Sequence, residues 1–213
     1  KIPTITKKQF EEWSKLNFTE LAFKILSLYI KSDIISPNNL ELIVQKSFAS
    51  FQSKEKVEIV QLAGFEKTYI VELFHGPTLS FKDVAMGFLL NIMDSFLEKR
   101  KNKINIILAT TGDTGPAAGW AAAGKNNINC WPLFPKGMIT REQELQMTTI
   151  NADNVFPVGV SNCPDGGDDL DLILAEIFSD KNLREKLNLS SVNSINWCRV
   201  MVQSVHYIYS YLK

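Results

Sequence analysis

Ile104-Asn105-Ile106-Ile107-Leu108-Ala109-Thr110-Thr111-Gly112-Asp113-Thr114-Gly115-Pro116 is the stretch whose reading decides the fold. Ile104 to Ala109 reads as a strand, the next residues are turn formers, and Pro116 is placed like a first helical residue. The same switch from strand to helix recurs downstream: strand Ile128 to Phe134, helix from Arg141, strand Val155 to Val160, helix Leu170 to Phe178. Strands separated by helices of this length imply right-handed β-α-β units and a parallel sheet, so the expected fold class is α/β. Such sheets bind ligands beyond the carboxyl ends of their strands, which directs attention to the loops starting near Thr110, Pro135 and Ser161.

Upstream, Lys1 to about Gln52 reads as helical. Ala22, Ile25, Leu26 and Tyr29 share one face, Leu40, Ile43, Val44 and Phe48 another, and Ser36-Pro37-Asn38-Asn39 separates the two sets. Two short strands are expected, Val57 to Leu62 and Tyr69 to Phe74, with Gly64 between them. The second leads into His75-Gly76-Pro77-Thr78-Leu79-Ser80-Phe81-Lys82-Asp83. Ser80 and Asp83 have the Ser-x-x-Asp spacing of a helix start, and Val84, Phe88, Leu89 and Ile92 continue at helical intervals, so Lys82 falls in a first turn. The positive end of the helix dipole disfavours an ammonium there, and a lysine with lowered proton affinity is prepared for Schiff-base chemistry. An ordinary surface lysine is the alternative. His75 adjoins this lysine in the turn and is a better site candidate than His206, which lies within the last helix.

The turn after Ala109 gathers hydroxyls, glycines and backbone amides at a helix N-terminus, an arrangement suited to an anion, either phosphate or carboxylate. It matches neither a Walker loop nor a Gly-x-Gly-x-x-Gly fingerprint, and a tight turn needing positive φ explains it equally well. Phe134-Pro135-Lys136-Gly137 ends the next strand and puts Lys136 on the same edge, as a phosphate partner or as a plain exposed lysine. Thr140 and Gln143 have capping-box spacing for the helix that follows. Near the end, Ser194 reads as the N-cap of a helix with a core stripe of Met201, Val205, Ile208 and Leu212. Asn193, Asn196 and Arg199 would then approach an anion or simply serve the helix start. Ser161 to Asp169 is a hinge or a loop. Its Asp165, Asp168, Asp169 and Asp171 lack the calcium-loop pattern, and no metal is expected.

Composition narrows the function classes. Across 213 residues Lys+Arg and Asp+Glu are equal at 23 each, so charge offers no reason to expect nucleic acid or an anionic membrane as partner. The basic run Lys99-Arg100-Lys101 reads as a solvated helix end. Cys130, Cys163 and Cys198 are an odd number without a Cys-x-x-Cys pair, which supports neither a disulfide framework nor zinc and fits a reducing compartment. No apolar run approaches the ~20 residues of a membrane span and no signal segment opens the chain. A cytoplasmic location is expected, or an organellar one if a presequence has been removed; Lys1 is not an initiator methionine.

The order of the motifs is more specific than any one of them: His-Gly-Pro-Thr-x-x-Phe-Lys-Asp at 75–83, Thr-Gly-Asp-Thr-Gly at 111–115, Phe-Pro-Lys-Gly at 134–137, Gln-Glu-Leu-Gln-Met-Thr-Thr at 143–149 and Asn-Ser-Ile-Asn-Trp at 193–197. This succession closely resembles threonine synthase of the microbial and fungal type and its threonine-synthase-like relatives, from about Leu21 to Lys213. The resemblance implies the pyridoxal 5'-phosphate fold shared with the tryptophan synthase β subunit, preceded by a helical segment. It divides the chain into 1–103, a smaller α/β domain 104–192, and a returning helix 193–213. It further implies that Lys82 forms the internal aldimine, that Phe81 and Asp113 contact the cofactor with Asp113 near its 3-hydroxyl, and that Thr111, Gly112 and Thr114 bind the substrate α-carboxylate. His75 is counted with the substrate-binding residues, and Lys136, Asn193, Asn196 and Arg199 are candidates for the substrate phosphate.

The implied reaction takes O-phosphohomoserine and water to threonine and phosphate. Two other outcomes stay open: a phospholyase releasing a keto acid, ammonia and phosphate, and a non-catalytic fragment or interaction module. The family usually shows Ser where Thr111 stands and a small residue where Pro116 stands; Thr keeps the hydroxyl and Pro fits a first turn. Family members are about twice as long, so the glycine-rich phosphate loop and the partner of the pyridine nitrogen are expected beyond Lys213. The expected partner is a small-molecule substrate, with monomer and homodimer both open.

Overall fold

The computed structural model describes residues 2–213. They form two compact units, one made of the chain up to Phe88 with Trp197–Lys213, the other of Leu89–Asn196.

In the first unit, α1 (Lys7–Trp13) and α2 (Phe18–Ser27) each open on a capping box, Thr6 with Gln9 and Asn17 with Glu20. α3 (Pro37–Phe48) starts as anticipated, with Ser36 Oγ accepting from the Asn39 amide at 3.4 Å and Pro37 in the first turn, where a missing N–H costs nothing. The predicted faces are buried, Ala22, Ile25 and Leu26 in α2 and Leu40, Ile43, Val44 and Phe48 in α3. Tyr29 is the exception: Leu28 is already the C-cap, and the Tyr29 ring meets the Trp197 ring edge-on at 5.7 Å. β1 (Glu58–Gln61) and β2 (Tyr69–Glu72) form an antiparallel hairpin in which Glu58 faces Glu72. Both strands are shorter than expected; past Gln61 the Leu62 amide still bonds to the Thr68 carbonyl at 2.8 Å, and the chain then turns through Gly64 at φ 84. α4 (Lys82–Arg100) begins at the candidate lysine. Val84, Phe88 and Leu89 are buried as expected, Ile92 only half-buried. A Cβ on Gly87 would lie 2.8 Å from the Ser47 carbonyl oxygen, so only glycine lets α4 approach α3 this closely.

The second unit is built on a four-stranded, all-parallel sheet of order β5-β4-β3-β6. β3 (Ile104–Ala109) has the predicted bounds. α5 (Thr114–Ala122) starts earlier than Pro116, which sits inside the first turn, where the helix needs no amide from it. β4 (Ile128–Pro135) is the central partner of β3, and α6 (Arg141–Thr148) carries the predicted Thr140–Gln143 capping box. β5 is only Val158–Val160. Val155 makes an isolated bridge to Cys130, and Pro157, with no amide to give, interrupts the ladder between them. α7 (Gly167–Ser179) opens ahead of Leu170 on Gly166 at φ 61. α8 (Lys181–Lys186) and β6 (Leu189–Ser190) were not anticipated; β6 is too short to leave a periodic signal and is defined by pairing with Asn105 and Ile106. Cys130 is fully buried, which pushes its thiol up to about 12.

α9 (Trp197–Leu212) returns to the first unit. It starts after the expected cap Ser194: the Asn196 amide bonds to the Asn193 carbonyl at 3.2 Å, closing a turn first. Its buried face is Arg199, Met201, Val202, Val205, His206 and Tyr209, so the stripe is rotated from the predicted one and Ile208 and Leu212 are half-buried. Among the described residues no helix is long and apolar enough to cross a membrane.

Candidate active site

The lysine turn belongs to the first unit. The Leu79 amide bonds to the Gly76 carbonyl at 3.2 Å, and Leu79 itself is left-handed at φ 58, which reverses the chain just before α4. That reversal lays Thr78 over the first turn, where its amide and hydroxyl donate to the two carboxylate oxygens of Asp83 at 2.9 and 2.7 Å. Asp83 is 4% exposed, and a Cβ on Gly76 would lie 2.8 Å from its carboxyl carbon, so the Gly-Pro-Thr segment is wrapped tightly on the carboxylate. Ser80 does cap the helix, through the amide of Lys82 at 3.3 Å, while Asp83 is committed to Thr78. Lys82 is half-buried with its Nζ 4.6 Å from the centroid of the exposed Phe81 ring, whose face attracts a cation. His75 turns its Nε2 to Glu72 Oε2 at 2.8 Å.

The loop 110–115 belongs to the second unit and lies at the carboxyl end of β3. Thr110, 4% exposed, extends the β3–β4 pairing through its amide, bonded to the Leu133 carbonyl at 2.9 Å. Its Oγ1 accepts from the amides of Gly112 and Gly115 at 3.2 and 3.0 Å and donates to the Gly112 carbonyl at 3.0 Å. The Gly112 amide, expected to face an anion, is thus engaged inside the loop. Thr111 is exposed and Thr114 half-buried, so these two hydroxyls remain as polar contacts on the edge. Asp113 is the N-cap of α5 without a side-chain cap bond, and its Oδ1 accepts from Gln143 Nε2 at 3.0 Å. Gln143 is itself held by its capping exchange with Thr140, both bonds at 3.2 Å. A Cβ on Gly112 would lie 2.8 Å from Gln143 Nε2, and one on Gly115 2.5 Å from Met147 Sδ, so the two glycines are what let α6 reach this loop.

Lys136 is exposed just beyond β4, its amide bonded to the Val160 carbonyl at 2.8 Å. It shares the carboxyl edge of the sheet with Thr111, Asp113 and Thr114. Asn193 is exposed and Asn196 half-buried in the second unit. Arg199, in the first, is 2% exposed, and burial lowers the proton affinity of its guanidinium. Sequence reasoning missed three residues that organise these places: Thr110 as the brace of the loop, Gln143 as the holder of Asp113, and Glu72 as the partner of His75. Gln143 was legible as a helix cap only, since nothing local joins it to a loop thirty positions away.

Comparison with known proteins agrees with the fold and with the family resemblance. A family model described as Threonine synthase N terminus matches residues 1–48. Threonine synthase of Saccharomyces cerevisiae is 39% identical over 214 residues, covering 96% of this chain and 41% of that protein. Threonine synthase-like 2 of Pongo abelii is 35% identical over 212 residues, covering 100% of this chain and 43% of its own length. The structure of threonine synthase from Brucella melitensis with pyridoxal phosphate bound superposes with a TM-score of 0.91 at 34% identity, covering 100% of this chain and 44% of that one. The chain therefore spans less than half the length of these relatives. In sequence and in fold alike it is similar to threonine synthases and to threonine synthase-like 2 proteins, over about two-fifths of their length.

Proposed function

We propose that the protein is a pyridoxal-phosphate-dependent threonine synthase, converting O-phosphohomoserine and water to threonine and phosphate, with Lys82 as the cofactor-bearing lysine. The observation that carries this reading is Lys82 itself, half-buried at the head of α4 inside a turn braced by Asp83 and Thr78. Each unit offers chemistry that suits the cofactor: in the first, Lys82 is a primary amine in a braced turn, suited to its carbonyl carbon, and in the second, Asp113 is a carboxylate already oriented by an amide. Bound pyridoxal phosphate would supply an electron sink for charge developing on the substrate. Lys82 Nζ would be the attachment point and then the base that removes and returns the Cα proton. A Cβ proton would be lost as the Cγ–O bond breaks and the electron pair leaves with the phosphate; Cγ would then gain a proton, and the hydroxyl of water would bond at Cβ, its remaining proton going to the phosphate. Asp113 would accept from the cofactor hydroxyl, and Thr111 and Thr114 would donate to the substrate carboxylate. Lys136, Asn193, Asn196 and Arg199 are the candidates for the substrate phosphate, the first three reaching solvent and Arg199 buried.

Incubation with pyridoxal phosphate, borohydride reduction and peptide mapping test this reading. The label is expected on Lys82 and absent after Lys82→Ala; a label elsewhere, or none, overturns it for this chain. A second outcome from the same lysine is elimination of phosphate with release of a keto acid and ammonia. Product analysis with O-phosphohomoserine separates the two, because threonine requires water to add at Cβ.

A further inference from the structure

The β1–β2 hairpin of the first unit, with His75 just after it, holds a cluster whose two carboxylates have no part in the lysine chemistry. In its register Glu58 stands directly opposite Glu72. Two carboxylates in that relation share one face of the ladder and repel, which weakens the pairing and which a cation between them would relieve. His75 follows β2 and closes on the pair, with Nε2 2.8 Å from Glu72 Oε2. One ligand atom from each of Glu58, Glu72 and His75 lies within 4.8 Å of the other two, and all three side chains are half-buried.

This set differs from an acidic surface patch in chemistry and in support. It mixes one nitrogen donor with two carboxylates, and its members are held from outside. Ser53 Oγ donates to Glu58 Oε1 at 2.6 Å, leaving the other oxygen for a ligand. The Gln52 amide bonds to the His75 carbonyl at 2.9 Å, fixing the backbone that carries the imidazole, and the Phe74 ring packs on the imidazole at 4.8 Å. Hydrogen bonds that orient first ligands in this way are a regular part of metal centres.

We infer that Glu58, Glu72 and His75 form a site for a divalent first-row transition cation, with Zn²⁺ as its best-fitting occupant. Metal–ligand distances near 2.0–2.2 Å bring such donors to about 3.3–4.2 Å apart, so the cluster closes by side-chain rotation without moving the hairpin. The cation takes the place of the hydrogen bond between His75 and Glu72, with His75 coordinating through Nε2 as a neutral imidazole. An imidazole among the donors selects Zn²⁺ over Mg²⁺, which prefers oxygen alone and keeps its waters.

The inference is independent of the cofactor: binding is measured without pyridoxal phosphate, so either reading can fail alone. Calorimetric titration of the chelator-treated protein with Zn²⁺ is expected to show one equivalent bound, undisturbed by millimolar Mg²⁺. Glu72→Gln and His75→Asn should each weaken it at least tenfold, and Ser53→Ala about tenfold, as for a lost orienting bond. Absence of Zn²⁺ binding, an isotherm unchanged in both ligand variants, or equal competition by Mg²⁺ overturns the site. Should a variant lose its circular dichroism, the Co²⁺ spectrum of the unmodified protein decides. Intense visible bands of four- or five-coordinate cobalt support the site, and the pale spectrum of the hydrated ion refutes it.

Discussion

Leu79 is where a single residue carries the strain of the lysine turn. A leucine at φ 58 places its Cβ against the following carbonyl, a cost of about 1–2 kcal/mol, and at 57% exposure its side chain recovers little by burial. Glycine removes the clash but loses more freedom on folding, so Leu79→Gly is expected to raise stability by about 0.5–1 kcal/mol. Leu79→Ala keeps the clash and should change it little. Urea denaturation with an unchanged slope measures both. Asp83 works in the opposite direction. Asp83→Ala removes two bonds from Thr78 to a buried carboxylate and should cost about 2–3 kcal/mol by the same measurement, loosening the segment that sets Lys82. At this scale the position of Lys82 was legible, because a Gly-Pro turn, a serine and a periodic apolar run are neighbours in sequence. The partner of Asp83 was not, because it depends on a leucine adopting a backbone conformation that its side chain disfavours.

Among elements, the junction between α5 and β4 depends on one side chain from outside both. Asn154 accepts from the Gly124 amide at 3.0 Å and donates through Nδ2 to the carbonyls of Ala122, Lys125 and Ile128 at 2.8, 3.1 and 2.7 Å. It gives the Ala122 carbonyl, which already accepts from the Lys125 amide at 3.0 Å, a second partner. Asn154→Ala is expected to destabilise the protein by about 2 kcal/mol, and hydrogen exchange should speed up at Gly124 ahead of the β4 amides. Thr140→Ala should cost about 1 kcal/mol through the lost cap of α6. Because Gln143 is released with it, the same variant should also loosen Asp113, visible as weaker pyridoxal phosphate uptake in the reduction assay. Helix starts at Ser36 and Thr140 were readable because a cap and its partner lie within one turn; those at Thr6 and Asn17 were not singled out. The start of α9 was misplaced because a polar turn at Asn193–Asn196 imitates a cap.

For the whole molecule, the buried face of α9 sets how stability responds to acid. His206 is 4% exposed with no hydrogen bond to Nδ1, and burial lowers it from the usual 6.5 to about 4. Between those values the unfolded chain binds the proton and the folded one does not. Stability is therefore full above about pH 6.5 and falls as pH drops toward 4, by an amount on the order of 3 kcal/mol. His206→Gln should flatten that slope in urea midpoints measured from pH 7 to pH 4. The parallel α/β order, the strand bounds of β3, the lysine at the head of α4 and the family resemblance were all determined by the sequence alone. They rest on periodicity, turn chemistry and motif order, each confined to a few adjoining positions. Tertiary structure decided that Gln143 holds Asp113, that Glu58, Glu72 and His75 converge, and that α9 turns Arg199 and His206 inward. Those pairings join residues far apart along the chain or depend on which helix face finds an apolar neighbour, and local pattern carries no record of either.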